Sequence, residues 1–222
     1  MDRKEYAFSG IEKAFGKKKV LCGASGAFPA GSFVGILGLN GSGKTTLLDI
    51  LGNIDRNFRG KVNLRGNAVA YMRTKMPFPE SWRVGELFVF CKNFYDFDAE
   101  RAECMLDNTS VSLKARLRTL SAGMQRQVSF IASFCIRSEV LLLDEPLTNL
   151  DLVYRTAIVD SLIERSAEGG TTVVATHEIK EFENLFTHVT VLQKGLLGPL
   201  VDAEEIRSRG ESIEDFYRGS LL

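Results

Sequence analysis

Gly38-Leu39-Asn40-Gly41-Ser42-Gly43-Lys44-Thr45-Thr46 decides how the rest of the chain is read. It follows an apolar run, Phe33-Val34-Gly35-Ile36-Leu37, and precedes Leu47-Leu48-Asp49-Ile50-Leu51, which reads as helix. Strand, glycine-rich turn and helix, in that order, form the context of a phosphate-binding loop. The glycines let the backbone turn so that successive N–H groups point inward and cradle phosphate oxygens. The start of the new helix adds the positive end of its dipole beneath them. Gly38, Asn40, Gly41, Ser42, Gly43, Lys44, Thr45 and Thr46 are therefore the candidate nucleotide contacts. Lys44 brings a mobile charge to the terminal phosphates, and Thr45 offers its hydroxyl to magnesium. A plain strand-to-helix turn rarely carries every fixed position of this pattern. The expectation is a nucleoside triphosphate site.

Composition narrows the setting. The 222 residues are 45% hydrophobic, enough for one core or one core with a small lobe. Lys+Arg and Asp+Glu each number 28, so charge makes no case for nucleic acid as a partner. Lys17-Lys18-Lys19 beside Gly16 reads as a solvated hairpin tip. Cys22, Cys91, Cys104 and Cys135 are scattered and the histidines are not clustered. That pattern argues against a metal cluster or disulfide framework and for a reducing compartment. Met1-Asp2-Arg3-Lys4-Glu5 is charged at once, so no secretory leader is expected. No apolar run approaches the ~20 residues that span a bilayer. Membrane attachment would have to come through another subunit.

Residues 1–33 alternate apolar and polar positions between turns at Phe15-Gly16 and Pro29-Ala30-Gly31, predicting antiparallel strands. Gly52-Asn53 is a helix stop. Two short strands follow, Lys61-Val62-Asn63-Leu64 and Ala68-Val69-Ala70-Tyr71, with a turn at Arg65-Gly66-Asn67. Met76-Pro77-Phe78-Pro79 enforces an extended linker. Beyond it, Val84, Leu87, Phe88 and Cys91 share one helix face. Asp98 caps a second predicted helix running to about Leu106. A third starts near Ser121 with Val128, Ile131, Cys135 and Ile136 on one side. Residues 76–137 thus form a helical lobe, with Phe88, Phe90, Phe94, Tyr95 and Phe97 expected in its core. Val140-Leu141-Leu142-Leu143, Thr171–Thr176 and Val189-Thr190-Val191-Leu192 read as strands, with helices at about 152–165 and 178–186. Strands apolar on both faces belong inside a parallel sheet covered by helices, so the fold is an α/β core. From about Asp202, two short charged amphipathic segments form a packing tail.

Asp144-Glu145 ends the first of these apolar strands, at the carboxyl edge where ligands bind in α/β sheets. Two consecutive acids can divide labour: Asp144 holds a metal and Glu145 polarises the attacking water. Leu120-Ser121-Ala122-Gly123-Met124-Gln125-Arg126-Gln127 resembles the signature sequence of ABC ATPases. Residues 38–45 are similar to the Walker A loop and residues 141–145 to Walker B with its catalytic glutamate. Pro146-Leu147-Thr148-Asn149-Leu150-Asp151 matches the D-loop, and Thr176-His177-Glu178 the switch-histidine loop. Phe15 occupies the place of the aromatic that stacks on adenine. Five motifs in order are highly specific, and the resemblance runs along nearly the whole chain.

The resemblance implies a single domain, 1–222, with a P-loop NTPase core (1–75 and 138–222) carrying an N-terminal antiparallel β part, and the helical lobe at 76–137. It implies ATP and Mg2+, with Thr45, Asp144 and Thr74 at the metal and Glu145, His177 and Lys44 in catalysis. Two cassettes would meet head to tail, each ATP lying between one phosphate loop and the partner's Ser121–Gly123 stretch, with Asp151 linking the two sites. Its departures are Ala122, Met124, Phe15 for tyrosine, and Thr74 where a glutamine is expected. It implies the ATP-hydrolysing subunit of an ABC transporter, peripheral on the cytoplasmic face of the cell membrane and bound to integral membrane subunits. The short segment after Phe94-Tyr95-Asp96-Phe97-Asp98 looks most like the exporter branch. A membrane partner would dock near Pro77–Trp82, with Trp82 a candidate contact. The alternatives are a soluble ABC ATPase acting on DNA or ribosomes, for which the long insertions are missing, and an inactive regulatory ATP switch. A nucleotide kinase or GTPase would have no use for the signature or for His177.

Overall fold

The computed structural model describes residues 5–63 and 68–221. The chain opens with β1 (Glu5–Phe15) and β2 (Lys18–Pro29), paired antiparallel from Glu5↔Pro29 to Phe15↔Lys18. The turn between them places Lys17 and Lys18 at a hairpin tip, as the basic run predicted. β3 (Phe33–Leu37) leads through the glycine-rich loop into α1 (Lys44–Leu51), which stops at Gly52. β4 (Arg59–Asn63) returns to the free edge of β1 and completes a three-stranded sheet ordered β2-β1-β4. The expected turn at 65–67 lies outside the described residues. The strand that follows, β5 (Val69–Met72), does not join this sheet.

The lobe holds α2 (Val84–Phe94), α3 (Ala99–Asp107) and α4 (Ala122–Phe134). Val84, Leu87, Phe88 and Cys91 are buried on α2, the face their spacing indicates. Asp98 caps α3 by accepting from the Arg101 N–H at 3.0 Å. Two expectations need correcting. α4 ends at Phe134, so Cys135 is its cap residue, and Ile136 instead bridges to Phe97. The lobe aromatics divide: Phe88 and Phe97 are buried, whereas Phe94 is 69% and Tyr95 48% exposed. The α2 ladder ends there, and both rings sit past the last buried turn.

After the lobe come β6 (Val140–Asp144), α5 (Leu152–Ala167), β7 (Thr171–Thr176) and β8 (His188–Gln193). Two-residue strands β9 (Leu196–Leu197) and β10 (Val201–Asp202), then α6 (Ala203–Ser208) and α7 (Ile213–Gly219), complete the chain. The main sheet runs β10-β8-β3-β7-β6-β5, parallel from β8 to β5, with β9 and β10 antiparallel on β8. The fold is α/β with a mostly parallel sheet, an antiparallel N-terminal sheet and a helical insertion.

Side-chain alternation explains why the central strands are apolar throughout. Val34, Ile36, Val140, Leu142, Val173 and Ala175 face α1 and the antiparallel sheet. Phe33, Leu37, Leu141, Leu143 and Val174 face the other way, toward the lobe and the C-terminal helices. Each strand feeds two cores.

The helix expected at about 178–186 is only a single turn of 3-10 helix, Lys180–Phe182. Beyond it the backbone is closed by turns, Leu185 and Phe186 N–H both donating to the Phe182 carbonyl at 2.8 and 3.1 Å, and the segment's end is tied to the C-terminal part. Arg207 donates to the Glu183 and Phe186 oxygens, while the Glu183 carboxylate accepts from the Ile213 N–H at 2.7 Å. Phe182 and Phe186 then pack against Phe33 with ring centroids 6.0 and 5.8 Å away.

Candidate nucleotide site

Parallel register brings the chemistry to one edge. Leu37 pairs with Thr176, Asp144 with Ala175 and Met72 with Leu143, so β3, β5, β6 and β7 end side by side. The residues immediately beyond these ends are the glycine-rich loop, Thr74, Glu145 and His177. Gly43 has φ 109°, a conformation that L side chains rarely adopt, immediately before the first residue of α1. That turn aims Lys44 back into the loop it leaves. Its ammonium donates to the carbonyls of Gly38 at 2.7 Å and Leu39 at 3.3 Å, and lies 3.3 Å from Glu145 Oε1. The Glu145 contact is an ion pair without hydrogen-bond geometry, since Oε1 is buried with no hydrogen-bond partner.

Glu145 is itself in the left-handed region, φ 48°, a rare conformation for a residue with a side chain. The bend folds its carboxylate across to β7. Oε2 lies 2.9 Å from His177 Nδ1 and accepts from the Thr176 hydroxyl at 3.3 Å. Asp144, fully buried, has its Oδ2 met by two hydroxyls, Thr45 at 2.9 Å and Thr74. Its Oδ1 is buried with no hydrogen-bond partner. Burial pushes the Asp144 carboxyl above its ordinary range; the Thr74 and Thr45 hydroxyls pull against that shift and Glu145 adds to it. Hydroxyls beside an orphaned carboxylate oxygen make a hard-oxygen set suited to magnesium. Among the described residues, no cluster of three or more His, Cys, Asp or Glu offers a rival metal site.

Lys44, Thr45, Thr74, Asp144, Glu145 and His177 are thus gathered together. Ser121 and Gly123 are not: among the described residues neither hydrogen-bonds to the loop. Ser121 caps α4, accepting from the Met124 N–H at 3.2 Å. Gly123 lies against the D-loop stretch, where a Cβ would come 2.8 Å from the Asn149 carbonyl oxygen. Asp151 caps α5 by accepting from the Tyr154 N–H at 2.9 Å. Phe15, 56% exposed, shows one ring at the end of β1, with the Lys13 ammonium 5.0 Å from its centroid.

The model of the ABC transporter family matches residues 21–148, more than half of the chain. The chain belongs to the ABC transporter family. It is an ATP-binding subunit, and an ATPase as the family is. It is 32% identical to an aliphatic sulfonates import ATP-binding protein of Mesorhizobium japonicum, over 99% of this chain and 88% of that one. A Nod factor export ATP-binding protein of Burkholderia lata is 29% identical over 85% of this chain and 67% of the relative. A solved ATP-binding subunit of an ABC transporter superposes with a TM-score of 0.85 over 99% of this chain and 100% of that chain. At 20% identity that likeness shows the fold alone.

Two arginines escaped the reading of the ABC motifs. Arg126, within the quoted signature stretch, is buried and reaches the carbonyls of Arg73 and Thr74. Burial lowers its proton affinity below an ordinary guanidinium, and Asp144, Glu145 and Glu178 oppose that shift. Arg155 donates to the Leu150 carbonyl at 3.1 Å and to Glu178 Oε1 at 2.7 Å, joining the D-loop to the residue after His177. Its place four residues after the capping Asp151 was the available signal.

Proposed function

We propose that this subunit hydrolyses ATP as one half of a head-to-tail pair of cassettes and drives integral membrane subunits. The observation that carries the reading is the division of the motifs. Lys44, Asp144, Glu145 and His177 converge on one edge, while Ser121 and Gly123 make no hydrogen bond to it among the described residues and Gly123 lies against Asn149. A lone chain holds half of a site, and a second cassette supplies the start of α4 as the other anion-binding face.

In this reading Phe15 stacks on the base and residues 38–46 wrap the phosphates. Lys44 leaves its carbonyls for phosphate oxygens. Glu145, held by His177 and Thr176, takes the proton of the attacking water, and His177 contacts the γ-phosphate. Thr45, Asp144 and Thr74 are the residues that would hold Mg2+, which when bound neutralises charge on the phosphate oxygens. Asp151 sits where the two sites communicate.

Steady-state hydrolysis by wild type and Glu145→Gln tests the catalytic part. A general base is worth about 10²- to 10⁴-fold, so the variant should fall by that factor while still binding nucleotide. Equal near-zero rates would sink the reading and favour a regulatory ATP switch.

The finer parts are the peripheral location on the cytoplasmic face of the cell membrane, and export. The short segment between Phe94–Asp98 and the signature supports export; the relatives are named for import and export alike. Among the described residues no helix is long and apolar enough to cross a membrane, in keeping with attachment through a partner. Mild-detergent pull-down from native membranes should recover an integral membrane protein in fixed proportion. Recovery from the soluble fraction alone would overturn the location. In sealed inverted vesicles carrying the complex, ATP should draw solutes inward; solutes leaving would overturn export.

A further inference from the structure

Arg126 is 7% exposed, and its guanidinium donates to the carbonyls of Arg73 at 3.3 Å and Thr74 at 3.2 Å. A buried cation is costly unless its donors are satisfied and its charge is balanced. Here the balance comes from Asp144, Glu145 and Glu178, and Nη1 divides its two hydrogens between successive backbone oxygens. Those oxygens belong to the stretch between β5 and the lobe, which has no regular backbone pairing of its own. The stretch is gripped from the other side as well, by Arg73 chelating Asp49 of α1 at 2.8 and 2.7 Å. Held between the two grips, the short Thr74 side chain reaches Asp144 Oδ2. One guanidinium therefore links the signature helix α4, the linker and the acidic end of β6.

We propose that Arg126 is a positioning residue that holds the linker so that Thr74 bears on Asp144, carrying changes at Asp144 into the signature helix of the same subunit. The proposal rests on the reading of Asp144 and Thr74 given above. Both bonds leave one nitrogen, Nη1, whose two hydrogens are held in the rigid guanidinium plane, so the group fixes direction as well as position; a lysine ammonium is a rotating point charge on a flexible stem. Charge alone does not account for the arrangement.

The test is a double-mutant cycle on the full chain with Arg126→Lys and Thr74→Val, read by kcat and KM separately and by hydrogen exchange. Each single variant should lower kcat roughly tenfold, the scale of a small misplacement, with KM within about twofold. The double variant should fall no further than the worse single, because both act on one contact. Multiplying losses would overturn the proposal. Without nucleotide or metal, Arg126→Lys should speed exchange of the paired amides at the end of β5, beside the linker, about tenfold, and Thr74→Val should speed it at Met124 and Gln125 in the first turn of α4. Unchanged exchange in either place would also overturn it. Thr74 is exposed, so its variant folds even if Arg126→Lys does not. Absence of hydrolysis by wild type would strike the catalytic reading and leave the exchange result to judge Arg126.

Discussion

A single residue's environment sets its chemistry, and the four thiols show it without any ligand. Cys91 and Cys135 are buried; burial pushes their thiols up to about 11 and about 12. Cys22 and Cys104 are exposed. The thiolate is the nucleophile, so at pH 8 the buried pair is both unionised and shielded. Native protein should react with a maleimide at Cys22 and Cys104 only, and peptide mapping should find Cys91 and Cys135 labelled after unfolding. Rapid labelling of the buried pair in the native state would contradict the packing of the lobe. The same contrast between identity and environment limits what the motifs disclosed. Lys44, Glu145 and His177 were legible because a phosphate loop, a strand-terminal acid and a strand-end histidine are patterns in sequence. The left-handed φ of Glu145, which turns its carboxylate onto His177, is a consequence of tertiary packing and leaves no mark in the sequence.

At the scale of elements, the strands were the most readable because each is bounded by its own burial. Thr171–Thr176 stands as β7 residue for residue, and the pair of cores explains the unbroken apolar runs. The segment at 178–186 was misread as helix because its composition suits one; the contacts that tie down its end, from Arg207 and the Ile213 N–H, come from residues far along the chain. Arg155 is the element-scale counterpart of that lesson. From the first turn of α5 it ties the Leu150 carbonyl to Glu178, bridging the D-loop and the switch loop. Arg155→Met keeps the aliphatic packing and removes both ties. We expect kcat to fall roughly 10- to 100-fold with nucleotide affinity nearly unchanged, since the loss is one of positioning. Measured kcat within about twofold of wild type would show that the two loops are held independently.

For the whole molecule, the proposed peripheral location requires a means of attachment. Equal numbers of acidic and basic residues leave no net attraction to anionic lipid, which favours attachment by protein contact. The lobe offers a face for it. Phe78, Trp82 and Phe90 pack on one another with centroids 5.4 to 5.8 Å apart, and Phe94 and Tyr95, both against Phe90, extend that patch into solvent. Trp82, named from the sequence as a contact, is half-buried in the packed part. Truncating it would disturb the lobe and confuse docking with stability. Phe94 separates the two. It is 69% exposed and its ring meets the packed part at Phe90, 4.6 Å between centroids, an aromatic pair worth about 0.5–1.5 kcal/mol. An exposed aromatic that anchors an interface, in contrast, is worth upward of about 2 kcal/mol on truncation, or some thirtyfold in affinity. Phe94→Ser should therefore lower the melting temperature by only about 2–4 °C and spare nucleotide binding, while most of the tagged subunit is lost from the detergent-extracted membrane complex. Full recovery of the variant with its membrane partner would remove this face from the interface and move the search to the surface around the phosphate loop.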